Sequence, residues 1–273
     1  MANDQYEQRV VLFLDILGFK RLIDQQQEGI VSEVLSVTSS KYAGYEISAF
    51  SDNMAVSIKI ESGVELLKII EFASYLSWKL ISKGVLSRGG IAVGNLYHKN
   101  GIIYGPALLD AYYLESQVAI FPRVILEKDA INKFSAMMSI PTEAENNINM
   151  LLHEDESDGW KYINLMSHNA KIPDTLLAPD ADNNVLYEKL LEAKVAAARN
   201  ALLLNAAKPM DIRAATKHEW MGRYVNKYEN YFSHIPNGPQ LEWKLAMMKG
   251  MPNYKKFDDV IMKLSERDPG RVQ

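Results

Sequence analysis

Cysteine is absent from the 273 residues, which excludes disulfides, thiolate metal sites and thiol nucleophiles. No apolar run approaches the roughly 20 residues that a membrane-spanning helix needs. The amino terminus, Met1 to Arg9, is polar and has no signal-peptide core. Charge of one sign is missing too: 30 Lys and Arg stand against 34 Asp and Glu, a net −4. The general basic character of a nucleic-acid or anionic-membrane binder is therefore lacking. There is no internal repeat and no low-complexity segment. The five histidines, His98, His153, His168, His218 and His234, are scattered without metal-ligand spacing. The remaining picture is a cytosolic chain of ordinary globular make-up, 48% hydrophobic and 23% charged. Its length suits one large domain or a domain with an extension.

Against that background two carboxylates stand out. Asp15 closes the apolar run Val10-Val11-Leu12-Phe13-Leu14 and is followed by Ile16-Leu17-Gly18-Phe19. Asp52 interrupts a second β-type run, Ile47-Ser48-Ala49-Phe50-Ser51-Asp52-Asn53-Met54-Ala55-Val56. A carboxylate in apolar surroundings is costly unless it is paired, hydrogen-bonded or metal-bound. Two of them at the ends of neighbouring strands are placed to share divalent cations, and oxygen ligands of this kind suit Mg²⁺ or Mn²⁺.

The chain between and beyond them reads as mixed α and β. Residues 9–15 form a buried strand, and a helical pattern starts at Phe19 and continues through Ile30, Val31, Val34 and Leu35. Residues 45–60 form a hairpin turning at Ser51-Asp52-Asn53. Residues 63–82 carry a wide apolar stripe, a helix packed on a sheet and ended at Gly84. A glycine-studded strand, Ser87 to Tyr97, turns at Lys99-Asn100-Gly101 into Ile102-Ile103-Tyr104. Pro106 opens a helix to about Gln117. Strands at 123–127 and 160–165 flank a short helix near 129–135. The order β-α-β-β-α-β-α-β-α-β predicts an α+β sandwich with helices on one face of the sheet. Residues 1–168 form the main domain in this reading, which carries both aspartates, 169–183 a linker rich in Asn, Pro and Asp, and 184–273 a helical extension. The extension holds helices at Leu186–Leu204 and Ile212–Phe232 and a polar tail after Leu264. The stripe on Leu186–Leu204 is read as helix core.

Four motifs in order over residues 10–116 resemble the catalytic domain of the class III nucleotidyl cyclases, the adenylate and guanylate cyclase family. They are Asp15-Ile16-Leu17-Gly18-Phe19; Asp52 in the following hairpin; Arg88-Gly89-Gly90-Ile91-Ala92-Val93-Gly94; and Gly105, Ala111, Leu114, Glu115 and Ser116 at a helix start. The match continues more weakly to about residue 167. The resemblance implies a ferredoxin-like βααββαβ core and a homodimer whose two sites are each built from both subunits. It implies two metal ions per site, held by Asp15, Asp52 and the Ile16 carbonyl. Gly18, Phe19 and Lys20 would bind phosphates at the start of a helix, and Lys161 would be a further phosphate ligand on a late strand.

The departures are as informative. Where purine cyclases carry a base-reading lysine this chain has Ser48, and Ile102 replaces a base-reading aspartate. Leu109 and Tyr113 stand where the family places a transition-state asparagine and arginine. The pattern Ser-Arg-Gly-Gly-Ile through Ala-Tyr-x-Leu-Glu-Ser resembles the bacterial pyrimidine cyclases of the Pycsar antiphage systems. That resemblance implies conversion of UTP to cyclic UMP, or of CTP to cyclic CMP, with a separate effector protein reading the product. Ser48, Phe50 and Ile102 would then line the base, Phe50 narrowing the pocket against a purine. Loss of the asparagine and arginine leaves a second reading open, a catalytically dead nucleotide-binding or dimerisation module. Other residues have plainer readings. Arg88 pairs with an acidic neighbour, glycines 89, 90, 94 and 105 serve packing and turns, and Tyr112 and Tyr113 serve packing or an interface.

Overall fold

A computed structural model describes residues 6–24, 43–167, 170, 194–199, 201–202 and 212–233, with 29, 32 and 36 as single positions. The chain divides into two compact units, 1–173 and 174–273. The first unit is built on an eight-stranded sheet. Its strands are β1 (Glu7–Ile16), β2 (Tyr45–Phe50), β3 (Asn53–Lys59), β4 (Ser87–Lys99), β5 (Ile102–Tyr104), β6 (Val124–Leu126), β7 (Leu152–Glu154) and β8 (Lys161–Ile163). The order across the sheet is β2-β3-β1-β4-β6-β8-β7, and β5 pairs with β4 alone. Pairing is antiparallel except between β4 and β6.

The helices of this unit are α1 (Phe19–Asp24), α2 (Glu65–Ile81), α3 (Pro106–Tyr113), α4 (Ala130–Met137) and α5 (Thr142–Leu151). Immediately after α3 the chain widens into a π-helical turn, Leu114–Val118. Of the predicted continuation of the first helix, positions 29, 32 and 36 are helical, while Ile30, Val31, Val34 and Leu35 lie outside the described residues.

β1 explains the layering. Val10, Val11 and Leu12 are all fully buried although successive side chains point to opposite faces. A strand apolar on both sides needs cover on both sides. α2 supplies one cover: Ser77 lies 3.4 Å from Ser87, which pairs with Ile16 and so shares its face. α3 supplies the other, over the face that carries Val11, Phe13 and Asp15. There Val11, Ala92, Leu96, Ala107 and Ala111 form one buried cluster. The expectation of helices on one face is thus corrected.

Small residues set the spacing under α3. A Cβ built on Gly90 would lie 2.4 Å from the Ala111 carbonyl oxygen and 2.5 Å from Leu114 Cβ, so only glycine fits. The opposite face is packed with large side chains. Trp78, Leu66, Ile69 and Ile70 of α2 are fully buried, and Trp78 Nε1 donates to the Leu165 carbonyl at 3.1 Å.

Helix α5 and strand β7 are absent from the sequence reading. The segment Thr142-Glu-Ala-Glu-Asn-Asn-Ile-Asn-Met-Leu151 is polar, and its apolar stripe is only Ala144, Ile148 and Leu151. In the second unit, residues 194–199 and 201–202 are helical, and α6 spans Ile212–Ser233. Arg199 donates to Asn226 Oδ1 at 3.0 Å, and Trp220 stacks on Tyr224 one turn away with centroids 5.5 Å apart. The remainder of the predicted helix Leu186–Leu204, the linker and the tail lie outside the described residues.

Candidate active site

The two aspartates meet because β1 and β3 are neighbours. Asp15 pairs across the sheet with Asn53, the residue that follows Asp52. The Ile16 N–H donates to the Asp52 carbonyl oxygen at 2.8 Å, which ties the end of β1 to the hairpin turn. That turn consists of Ser51 and Asp52 alone. Ser51 holds φ at +59°, a left-handed conformation uncommon outside glycine. The backbone therefore fixes the separation of the two residues that carry carboxylates.

The carboxylates differ in their partners. Asp52 Oδ1 accepts from Asn53 Nδ2 at 3.0 Å. Asp15 Oδ2 accepts from Arg88 Nε at 3.0 Å, and its side chain is 14% exposed. One oxygen of each aspartate accepts no hydrogen bond from the described residues. Arg88 sits directly across from Asp15 on β4 and also reaches Glu115 Oε1 at 2.7 Å. It does pair with an acidic neighbour, and that neighbour is the candidate metal ligand itself.

Gly18 follows at φ +77°, a conformation that glycine adopts without strain, and the chain then enters α1. The Leu17 N–H is bonded to the Leu86 carbonyl at 2.9 Å, which leaves Gly18, Phe19 and Lys20, the amides expected to meet phosphate, as the next along the chain. Lys20 is exposed and ion-pairs with Asp24 at 2.5 Å, one turn along α1. Asp15, Ile16, Asp52, Gly18, Phe19 and Lys20 thus gather at one end of β1.

Three other expected site residues do not join them. Lys161 begins β8, three strand steps from β1, on the order of 14 Å across the sheet. Within one chain it stands apart from the aspartates; the order of strands in the sheet is the reason. Ile102 is exposed on the β4–β5 hairpin. Ser48 is buried, and its hydroxyl meets His98 Nε2 at 2.9 Å, so it faces protein and is not presented to a base. The Phe50 side chain lies outside what is described.

The partners of Ser48 form a buried polar chain that the sequence reading lacks. His98 Nδ1 meets Ser57 Oγ at 2.8 Å, and Arg9 donates to the same oxygen at 2.9 Å. Burial, reinforced by the Arg9 charge, pushes the His98 imidazole down to about 4. Four strands contribute one residue each to this chain, a long-range arrangement that no local spacing reveals.

The donor set fits a hard divalent cation. Mg²⁺ and Mn²⁺ sites of this kind take one or two carboxylates from protein and complete their shell with water and substrate phosphates. Asp15 and Asp52 supply two, each with an oxygen left over. Among the described residues there is no group of three or more His, Asp or Glu side chains able to form an all-protein site. None of their helices is long and apolar enough to cross a membrane.

No protein-family model matches the chain, and no curated protein does. Two solved structures of a bacterial light-regulated adenylyl cyclase are similar at low level. One is 14% identical with a TM-score of 0.32, covering 62% of this chain and 54% of its own. The other is also 14% identical, with a TM-score of 0.28, covering 70% of this chain and 98% of its own. The chain spans about half the length of the first. Likeness at this level carries no argument about the reaction, which rests on the site residues.

Proposed function

We propose that the chain is a pyrimidine nucleotide cyclase. It converts UTP, with CTP as the alternative, to the 3′,5′-cyclic monophosphate and diphosphate. The single observation that supports this reading is the Asp15–Asp52 arrangement, a strand-end aspartate and a turn aspartate whose backbones are tied by the Ile16-to-Asp52 bond. The resemblance of the surrounding motifs supplies the reaction. In it, the ribose 3′-oxygen bonds to the α-phosphorus, the bond to diphosphate breaks, and the hydroxyl proton is lost to the medium.

Asp15, Asp52 and the Ile16 carbonyl would hold two Mg²⁺ or Mn²⁺ ions. Such ions supply charge neutralisation on the reacting oxygens. The amides at Gly18, Phe19 and Lys20, with the Lys20 ammonium, would orient the triphosphate at the start of α1. Purine-reading side chains are missing at positions 48 and 102, the reason for a pyrimidine. Homodimerisation belongs to the same proposal. Leu109, Tyr112 and Tyr113 on α3 and Ile102 and Tyr104 on the adjoining hairpin are exposed apolar side chains, the kind of surface that an interface covers. A phosphate role for Lys161 would then have to come from the partner subunit. The product would act on a separate effector in antiphage defence.

The test is incubation with each of the four nucleoside triphosphates and Mn²⁺, with products read by mass spectrometry. A cyclic product from UTP or CTP is expected, lost in Asp52→Ala; no cyclic product from either pyrimidine would sink the reading. One observation favours a catalytically inert nucleotide-binding or dimerisation module instead. The positions of the missing asparagine and arginine hold Leu109 and Tyr113, 68% and 58% exposed and without charge. In that case Asp52→Ala leaves cellular function unchanged.

A further inference from the structure

Arg88 lies between two carboxylates from different elements. Its Nε holds Asp15 Oδ2 at the end of β1, and a terminal nitrogen holds Glu115 Oε1 in the π-helical turn after α3. The Asp15 contact is an aligned hydrogen bond, whereas the Glu115 contact is a close ion pair held by charge and not by hydrogen-bond alignment. Glu115 is 3% exposed, and a carboxylate so buried is tolerated only with a partner such as this. Asp15 Oδ1 accepts nothing from the described residues, so Arg88 grips one oxygen and leaves the other open.

We propose that Arg88 is a positioning residue for cation binding and that Glu115 is its counter-charge. The inference rests on the two-aspartate reading of the site. Arg88 fixes the rotation of the Asp15 carboxylate, so that Oδ1 points away from β4. A lone arginine there would also cancel the Asp15 charge and repel a divalent cation. Glu115 removes that cost: the three side chains together carry a net −1, and Asp15 remains an anionic ligand. Hydrogen bonds to a ligating carboxylate from outside the coordination shell typically account for 10- to 100-fold in metal affinity. Because Glu115 follows α3 directly, the same ion pair ties that helix to the cation site.

The experiment is Mn²⁺ binding to the full chain without nucleotide, read by electron paramagnetic resonance of free Mn²⁺, with thermal unfolding of each variant alongside. Arg88→Gln and Glu115→Gln are each expected to weaken Mn²⁺ binding about tenfold or more. Unchanged or tighter binding in Arg88→Gln overturns the proposal, the tighter result marking Arg88 as a competitor for Asp15. Should Arg88→Gln fail to fold, Glu115→Gln decides alone, and unchanged binding there overturns the proposal. A purely structural role would move the unfolding temperature and leave Mn²⁺ affinity where it was. Asp15→Asn tells loss of the cation site apart from loss of the Arg88 effect. If the unsubstituted chain binds Mn²⁺ no better than Asp15→Asn, the metal reading of the site fails and takes this inference with it.

Discussion

The two faces of the sheet solve the burial problem of β1 in opposite ways. Under α2 the solution is bulk: Trp78, Leu66, Ile69 and Ile70 fill the space against Leu12, Leu14 and Val56. Under α3 it is close approach, with Gly90, Ala92, Ala107 and Ala111 letting backbone lie near backbone. The polar chemistry follows the second pattern. Asp15, Arg88, Arg9, Ser57 and Ser48 all project on the α3 side, and His98 and Glu115 join them. Large apolar residues carry stability on one side; small ones leave room for charged groups on the other.

Three perturbations set the faces against each other. The largest effect belongs to the α2 side. Trp78→Ala empties a fully buried indole site and orphans the Leu165 carbonyl, and about 4 kcal/mol of stability should go in urea unfolding. Mn²⁺ affinity of the folded fraction should be unchanged, because nothing on the α3 side is touched.

Next comes an acid effect confined to the α3 side. In the unfolded chain the His98 ring takes a proton near 6.5, whereas in the folded chain it resists to about pH 4. The unfolded state therefore binds the extra proton in that window, and this group's stabilisation is complete above pH 6.5 and lost as pH falls toward 4. The slope approaches about 1.4 kcal/mol per pH unit, about 3 kcal/mol in all. Comparing unfolding free energies of the native chain and His98→Asn from pH 7 to 4 isolates the ring. An equal pH dependence in both chains would show that His98 is not the source.

The smallest effect comes from a single methyl. Gly90→Ala drives a Cβ into the Ala111 carbonyl and Leu114, so α3 must lift, at about 2 kcal/mol by the usual cost of overpacking. Because the lift carries Glu115 away from Arg88, Mn²⁺ binding should weaken as well. Equilibrium unfolding and Mn²⁺ titration of one preparation check both.

Much of this was legible in the sequence, for local reasons. β1 announced itself by an unbroken apolar run, the 51–52 turn by Ser-Asp-Asn, and α3 by Gly105-Pro106. What failed was non-local. The continuous run of β1 was itself a sign of two covered faces, yet the fold was read as covered on one. Strand order cannot be taken from chain order, so the sequence does not show the three strand steps that separate Lys161 from Asp15. Ser48 looked like a base-facing position because nothing in its neighbourhood names His98 as its partner. Helix α5 hid because its polar, asparagine-rich surface outweighs a stripe of three apolar residues. The Arg88–Asp15 pair follows from alternation only once β1 and β4 are known neighbours and their register is fixed, because a slip of one residue would put the two side chains on opposite faces.

The bond from the Ile16 amide to the Asp52 carbonyl has a thermodynamic consequence for whatever binds there. Fixing one residue's backbone costs about 1–2 kcal/mol in conformational entropy. At this site that cost is already met when β1 and β3 pair, so an arriving ligand does not meet it again. The backbones that carry the two carboxylates wait at a set separation, and binding free energy goes into the contacts themselves instead of into ordering the chain.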